Sequence, residues 1–275
     1  MTPAIAMIPY ANMAPFQEMG PPQGCDLVDC LPRESIQALK AKQVWAAAVP
    51  VGGLAELAQE TTFVGRFGIA VLEEAMSVLF FSDRPFDAFS PRLSIGLTGE
   101  SASSVRLLYL LLGYRNGFDA MPRRVSKGEA GNGELVIGDR ALRWAREYQQ
   151  QGQVRGYRHV ADLGALWHGR FGLPFVFARW VVRKDAPESV KAALHLWLKQ
   201  FKGREDDLIQ QAAPKVAQRL RLPVDYARHY LKVIRRCLST EDEAGQTRFL
   251  NELNQHARTP LFPGGAPGLP HQDRI

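Results

Sequence analysis

The stretch of sequence that decides the fold is residues 162–180, which read DLGALWHGRFGLPFVFARW. It begins with Asp162, a residue type that is common at helix N-caps, and its first part predicts a short helix. The apolar side chains that share one face of this helix are Leu163, Leu166 and Trp167. Gly172 can end the helix in a left-handed conformation, so we expect the chain to turn there.

A strand is expected directly after this helix. Pro174 fixes the turn, and residues 175–182 form an apolar run that is rich in aromatic and β-branched side chains. Such a run is typical of a strand buried on both faces, which predicts a parallel strand. The whole stretch fits ordinary core packing, and it also fits a crossing between two lobes.

The N-terminal part of the chain alternates strands with a helix. Residues 5–8, 26–30 and 44–51 predict strands, and residues 32–42 predict a helix. This β-α-β order calls for a parallel sheet with a right-handed crossover, which predicts an α/β fold.

The C-terminal part predicts helices, at residues 187–202, 205–219 and 224–237. Thr240 is expected to cap a further helix, with Glu243 as its capping-box partner. Residues 263–275 are so rich in Pro and Gly that they predict a disordered tail.

The composition is that of an ordinary globular protein with a basic balance. The 275 residues are 46% hydrophobic and 23% charged, with a net charge of +6. The charge favours anionic partners, either small carboxylates or nucleic acid. Two local arginine pairs, 123–124 and 235–236, are interpreted as solvated surface.

Other composition features narrow the function classes. Cys25, Cys30 and Cys237 form no metal-ligand spacing, so no metal site is predicted, and an odd cysteine count fits a reducing compartment. No secretory signal or membrane-spanning run is recognised, which predicts a cytoplasmic protein with no membrane partner.

Several motifs carry a resemblance to a known family. They include the decisive stretch, residues 162–180, in which Phe171 replaces Thr, together with the Tyr-x-Asn-x-x-Pro run at 10–15 and the Ile-Gly-Asp run at 137–139. With these motifs the chain resembles the chorismate dehydratase family of the futalosine route to menaquinone. Arg179, where a small apolar residue is usual, is a further departure. So are Lys42 and Trp45, which stand where the family usually has a Gly-x-x-Asp turn.

The resemblance implies a two-lobe, periplasmic-binding-protein type II-like α/β fold, with a ligand cleft between the lobes and a helical C-terminal segment. The expected first lobe comprises residues 1–84 and 176–262, and the second comprises residues 85–175. The implied activity is a hydro-lyase reaction that converts chorismate to 3-[(1-carboxyvinyl)oxy]benzoate and requires no cofactor.

Candidate site residues follow from the rule that ligands bind beyond the carboxyl ends of parallel strands. The strand ends give Tyr10, Asn12, Pro50, Val51, Ser77, Ser101, Ser103, Ser104, Gly138 and Asp139. The resemblance implies that Asn12 takes part in catalysis and that the other residues bind substrate. From the residues alone, Asn12 also fits a plain turn, the serine run fits helix capping, and Asp139 fits a helix cap.

Two other functions stay open at this point. The same fold could bind another aromatic or carboxylate ligand without dehydrating it. The helices around Leu222 and Pro223, with several arginines nearby, loosely resemble a helix-turn-helix that binds nucleic acid. Their turn lacks the usual glycine, so no nucleic-acid partner is predicted.

Overall fold

The structure is a computed structural model that describes residues 2–126, 129–256 and 261–263. The described residues form two compact units. The first comprises Met1–Val71 and Val176–Glu243, without the undescribed Met1, and the second comprises Leu72–Phe175 and the described residues from Ala244 onward. Of the predicted tail, residues 264–275 lie outside the described residues.

The strands, in chain order, are β1 Ala4–Met7, β2 Asp26–Asp29, β3 Ala46–Pro50, β4 Thr61–Val71, β5 Val78–Ser82, β6 Ser94–Gly96, β7 Arg123–Arg124, β8 Gly133–Ile137, β9 His159–Asp162, β10 Phe175–Arg183 and β11 Arg235–Cys237. The helices are α1 Ala14–Glu18, α2 Glu34–Lys40, α3 Ala102–Asn116, α4 Gly138–Gln151, α5 Leu163–Phe171, α6 Glu188–Leu220, α7 Val224–Val233 and α8 Thr240–His256. Within the described part of the chain, no helix is both long and apolar enough to cross a bilayer.

The first unit is built on a six-stranded sheet with the order β11-β4-β10-β3-β1-β2. Strands β1, β2 and β3 are parallel neighbours, and α2 connects β2 to β3, which confirms the predicted β-α-β order. One face of α2 packs Ile36 and Leu39 into a core with Val49 and Val181.

Strand β10 is buried, as expected, but it is antiparallel to β3, with Ala178 opposite Pro50 and Val182 opposite Ala46. The prediction of a parallel strand was therefore wrong. An all-apolar pattern reports burial on both faces and does not encode strand direction.

The helices after β10 also differ from the prediction. Helix α6 is continuous through residues 203–204, where two helices were expected, because its buried side chains continue from Phe201 to Leu208 across Gly203. A glycine inside a long helix costs only about 1 kcal/mol. The helix predicted over 224–237 ends at Val233, and its last residues form β11, which is antiparallel to β4.

The second unit has a five-stranded sheet with the order β7-β6-β8-β5-β9. Strand β5, which was expected in the first lobe, pairs with β8 on one side and β9 on the other. The division therefore falls after Val71 and not after residue 84. At the other end, the boundary falls within α8, after Glu243, where residue 262 was expected.

The decisive stretch adopts the predicted local structure. Asp162 caps α5 by accepting hydrogen bonds from the backbone N–H groups of Gly164 and Ala165. Gly172 ends the helix with a φ of +64°. These signals are local, so the sequence is sufficient to place them.

Candidate functional site

In the first unit, the predicted site residues lie at one edge of the sheet. Tyr10 and Asn12 follow the carboxyl end of β1, and Pro50 and Val51 stand at the carboxyl end of β3. Because β1 and β3 are parallel neighbours, both ends meet at the same edge. The structure therefore brings these four residues to one edge, as the strand-end rule requires.

Asn12 lies in a short 3-10 turn, Ala11–Met13, between β1 and α1. The turn is closed by a hydrogen bond from the N–H of Met13 to the carbonyl of Tyr10, at 3.0 Å. The side-chain oxygen of Asn12, Oδ1, is buried and accepts no hydrogen bond from any residue that the structure describes. A buried acceptor without a partner costs about 1–3 kcal/mol, so this position is not explained as an ordinary turn residue.

Arg236 forms a hydrogen bond that fixes the backbone of the Asn12 turn. Its side chain is fully buried, and its Nε donates to the backbone carbonyl of Asn12 at 3.0 Å. Its Nη1 lies 3.1 Å from Oε1 of Glu205 and also donates to the carbonyls of Leu231 and Ile234. Burial lowers the pKa of Arg236, and the Glu205 carboxylate opposes that shift. The interpretation of Arg236 as solvated surface was therefore wrong.

In the second unit, three strands of the sheet run in the same direction and each leads into a helix. Strand β6 is parallel to β8, and both β8 and β9 are antiparallel to β5. Consequently α3, α4 and α5 all begin at the same edge of the sheet. Helix N-termini carry a partial positive charge, so three of them make this edge favourable for anions.

Ser77 and Gly138 meet at this edge. The N–H of Gly138 donates to the carbonyl of Ser77 at 2.8 Å, and Gly138 has a φ of +62°, which favours glycine. Asp139 lies in the first turn of α4, whose N-cap is Ile137, so Asp139 is not the cap of this helix. Its carboxylate is well placed to interact with the positive end of the helix dipole.

The serine run forms the start of α3. Ser101 is the N-cap, and its hydroxyl accepts from the N–H of Ser104 at 3.2 Å and lies 3.0 Å from the hydroxyl of Ser104. Capping by Ser101 is thus part of the observed role of this run. Ser103 and Ser104 are nevertheless buried, which places two further hydroxyl groups inside the first turn.

A buried cation accompanies these hydroxyl groups. The side chain of Arg106 is 4% exposed and folds back along α3, where its Nη1 donates to the carbonyl of Ala102 at 3.3 Å. The guanidinium group is therefore within one turn of the helix N-terminus. Serine hydroxyls, a helix N-terminus and an arginine are together a suitable environment for a carboxylate.

Asp162 fixes the loop that precedes Ser77. Besides capping α5, its carboxylate accepts from the N–H groups of Ala75 at 3.0 Å and of Met76 at 2.7 Å. Burial raises the pKa of Asp162, and the four backbone donors oppose that shift. Asp162 therefore has a structural role that links the decisive stretch to the edge that carries Ser77.

Comparison with known proteins gives the family. The sequence profile of a menaquinone biosynthesis family matches residues 3–255, which is most of the chain. The chain belongs to this family. A chorismate dehydratase of Thermus thermophilus is 30% identical over 268 residues, which cover 92% of this chain and 96% of the relative.

Solved structures support the fold class. The alkanesulfonate-binding protein of Xanthomonas axonopodis pv. citri has a TM-score of 0.61 at 12% identity, covering 96% of this chain and 98% of that protein. A Candida albicans protein described as having the generic periplasmic binding protein fold has a TM-score of 0.56 at 10% identity, covering 98% and 99%. The predicted periplasmic-binding-protein-like α/β fold is therefore confirmed.

Two of the departures from the family pattern, Phe171 and Arg179, have structural explanations. The ring of Phe171 lies 4.2 Å from that of Trp167 and under the guanidinium of Arg248, so it belongs to an aromatic cluster in the second unit. Arg179 is buried in the first unit, donates to the carbonyl of Gly65 and lies over the ring of Phe63. Burial lowers the pKa of Arg179, and the Glu243 carboxylate opposes that shift.

Sequence reasoning missed Arg106 and Arg236. Arginine is mostly exposed in proteins, so the default interpretation places both on the surface. A signal was present in each case: Arg106 interrupts an apolar helix, and Arg236 follows Arg235 in a segment that could be a strand. Neither signal is specific without the partner elements.

Proposed function

We propose that this protein is a chorismate dehydratase that forms 3-[(1-carboxyvinyl)oxy]benzoate within menaquinone biosynthesis. The observation that carries the proposal is the 30% identity to a chorismate dehydratase across almost the full length of both chains. The family match over residues 3–255 supports the same pathway.

The chemistry needs little from the protein beyond positioning. In chorismate, the bond from the ring to its hydroxyl oxygen breaks with its electron pair on that oxygen. The electrons of the C–H bond on the neighbouring ring carbon, which bears the enolpyruvyl ether, form the double bond that completes the aromatic ring. The released proton joins the departing hydroxyl group as water, and the substrate's own enolpyruvyl carboxylate can carry it. Aromatisation supplies the driving force, so orientation and charge stabilisation suffice.

The substrate is a dianion, and the second unit offers suitable groups for a carboxylate. The edge that carries Ser77 and Gly138 also carries the first turn of α3, with Ser103, Ser104 and the buried Arg106. The proposal assigns one substrate carboxylate to this turn. Charge-assisted hydrogen bonds of this kind are about twice as strong as neutral ones.

Asn12 is proposed as the catalytic residue of the first unit. Its buried and unpartnered Oδ1 is an acceptor that can orient a hydroxyl group of the substrate. Tyr10, Pro50 and Val51 are proposed as its neighbours in substrate binding, since they share its edge of the sheet.

The test is direct incubation with chorismate, followed by loss of substrate absorbance and by mass spectrometry of the product. We expect conversion by the wild-type chain and a decrease in kcat of about a hundredfold in Asn12→Ala, in the range of a lost transition-state contact. Asn251→Ala, an exposed asparagine on α8, is the matched control and should keep wild-type kcat.

Two outcomes would contradict the proposal. Saturable binding of chorismate without turnover would indicate a binding protein for a carboxylate ligand instead of an enzyme. Wild-type activity in Asn12→Ala, with an unchanged melting temperature, would remove Asn12 from the site.

A further inference from the structure

Two buried polar atoms of opposite kind lie around the same turn. The Nη2 of Arg236 is a donor and the Oδ1 of Asn12 is an acceptor, and neither has a hydrogen-bond partner in the described ranges 2–126, 129–256 and 261–263. Each such atom costs about 1–3 kcal/mol, and native structures contain few of them. Their occurrence together at a proposed catalytic residue calls for a functional explanation.

The position of Nη2 follows from the geometry of the guanidinium group. The Nε and Nη2 atoms form one edge, and their N–H bonds point in the same direction. Arg84 and Arg183 each use this edge to hold both oxygens of a carboxylate, those of Asp83 and Asp185. In Arg236 the same edge donates from Nε to the carbonyl of Asn12, so Nη2 points to the surroundings of Asn12.

The other contacts of Arg236 hold this edge in place. Nη1 is fixed by Glu205, by the carbonyl of Leu231 and by that of Ile234, at distances of 3.0–3.1 Å. The guanidinium therefore cannot turn to satisfy Nη2 without breaking several hydrogen bonds. A rigid donor of this kind is already oriented for a ligand before the ligand binds.

A single group that contacts both the Nη2 donor and the Oδ1 acceptor must accept one hydrogen bond and donate another, as a hydroxyl group does. A carboxylate fits less well, because it has no proton to give to the amide oxygen of Asn12. Both atoms are buried, so a ligand must displace a neighbouring side chain to reach them, and rotation of the half-buried Asn12 side chain about its χ angles is one such movement.

We propose that Arg236 is a substrate-contacting residue whose Nη2 donates to the ring hydroxyl of the substrate, while Oδ1 of Asn12 accepts from the same hydroxyl. This inference rests on the proposed function and makes it more specific. The hydroxyl is the group that leaves, and a positively charged donor stabilises the negative charge that develops on its oxygen as the C–O bond breaks. The proton and electron balance is that of the dehydration given above.

The reaction product is a suitable probe, because it keeps both carboxylates but lacks the ring hydroxyl. We expect Arg236→Met to lower kcat about a hundredfold and Arg236→Lys about tenfold. Lysine keeps the positive charge but lacks the two parallel N–H donors of the guanidinium. The Ki of the product as a competitive inhibitor should stay within about twofold of wild type in both variants, because the product makes no contact with Nη2.

Arg183→Lys is the matched control. Arg183 is also buried in the first unit, but it lies at the end of β10 away from Pro50 and the edge that carries Asn12. Its backbone N–H donates a hydrogen bond to the carbonyl of Trp45, just before β3 begins. Its replacement should lower the melting temperature and leave kcat and the product Ki unchanged.

A crystal structure provides a second test that does not depend on the folding of the Arg236 variants. The Asn12→Ala variant keeps the backbone carbonyl that Arg236 binds, and its slow turnover allows chorismate to be soaked in. We expect the ring hydroxyl oxygen within about 3.2 Å of Nη2, as in a hydrogen bond.

Several results would overturn the inference. One is wild-type kcat in both Arg236 variants, a second is product inhibition weakened by the same factor as kcat, and a third is a hydroxyl oxygen farther than about 4 Å from Nη2. A wild-type chain that does not convert chorismate is a different result, because it contradicts the proposed function itself.

Discussion

Arg235 and Arg236 are identical neighbours in the sequence with different environments. Successive side chains of a strand point to opposite faces of the sheet, so β11 directs them to opposite sides. Arg235 is partly exposed, where it pairs with Asp242, whereas Arg236 is fully buried beneath the Asn12 turn. A composition-based interpretation treats both as surface charges, and only the strand register separates them.

At the residue scale, we predict that the thiol of Cys237 reacts slowly with alkylating reagents. Burial, together with the nearby Glu205 carboxylate, raises its pKa to about 11. At pH 8 only about one thiol in a thousand is then ionised, and the thiolate is the reactive form. In a chain whose other cysteines are replaced, Cys25→Ser with Cys30→Ser, alkylation by iodoacetamide should be slow.

The rate of this alkylation should rise about tenfold per pH unit up to about pH 11, because the thiolate fraction does. Free cysteine measured in parallel sets the reference rate. Labelling of the folded chain at pH 8 as fast as free cysteine would contradict the prediction.

At the element scale, the start of α8 shows how a helix boundary is fixed. The hydroxyl of Ser239 accepts from the N–H of Asp242 at 3.2 Å, and the carboxylate of Asp242 accepts from the N–H of Ser239 at 2.7 Å. This is a reciprocal capping box, one residue earlier than the Thr240 and Glu243 pair that the sequence predicted. Glu243 instead forms an ion pair with Arg66.

We therefore predict that Ser239→Ala destabilises the protein by about 1 kcal/mol, the usual cost of losing an N-cap. Thr240→Ala, at the predicted cap, should change the free energy of unfolding by less than about 0.5 kcal/mol. Urea denaturation of both variants measures the difference. A larger loss of stability in Thr240→Ala than in Ser239→Ala would show that Thr240 is the N-cap, as the sequence predicted.

The same scale shows which elements a sequence can predict. Helix α5 carries its own cap, apolar face and glycine stop, so its bounds could be predicted from local signals. Strand β11 has only three residues and exists because β4 pairs with it, which the local sequence cannot show. The direction of β10 likewise depends on the partner β3 and not on its own composition.

At the scale of the whole molecule, the strand-end rule predicted where the candidate residues lie within each sheet. It placed Asn12 and Pro50 at one edge of the first sheet, and Gly138 at one edge of the second. Ser77 lies at the same edge as Gly138 for a different reason: it precedes β5, and β5 is antiparallel to β8. It gave no information about Arg106 and Arg236, because the rule considers loops after strands. Arg106 reaches the edge of the second sheet from within α3, and Arg236 reaches the edge of the first sheet from β11, which is distant in sequence.

The positive net charge was consistent with either nucleic acid or a small anion, and the structure weakens the first alternative. Of the arginines near the turn at Leu222, Arg236 is buried, and Arg228 forms hydrogen bonds with Asp225 and Gln210. Two of these arginines are thus engaged within the protein. A small dianionic ligand needs only the few buried cations that the sheet edges provide.

The last prediction concerns the net charge of +6 and the dianionic substrate that we propose. Long-range attraction accelerates their encounter and is screened by salt, whereas groups in a desolvated site are screened much less. We therefore expect kcat/KM for chorismate to fall about two- to fivefold between about 20 mM and 300 mM KCl, while kcat changes little. Sucrose at matched osmolarity is the control and should leave both constants unchanged. If kcat falls and kcat/KM does not, the salt acts on the bound complex, and the charge of the molecule does not serve to attract the substrate.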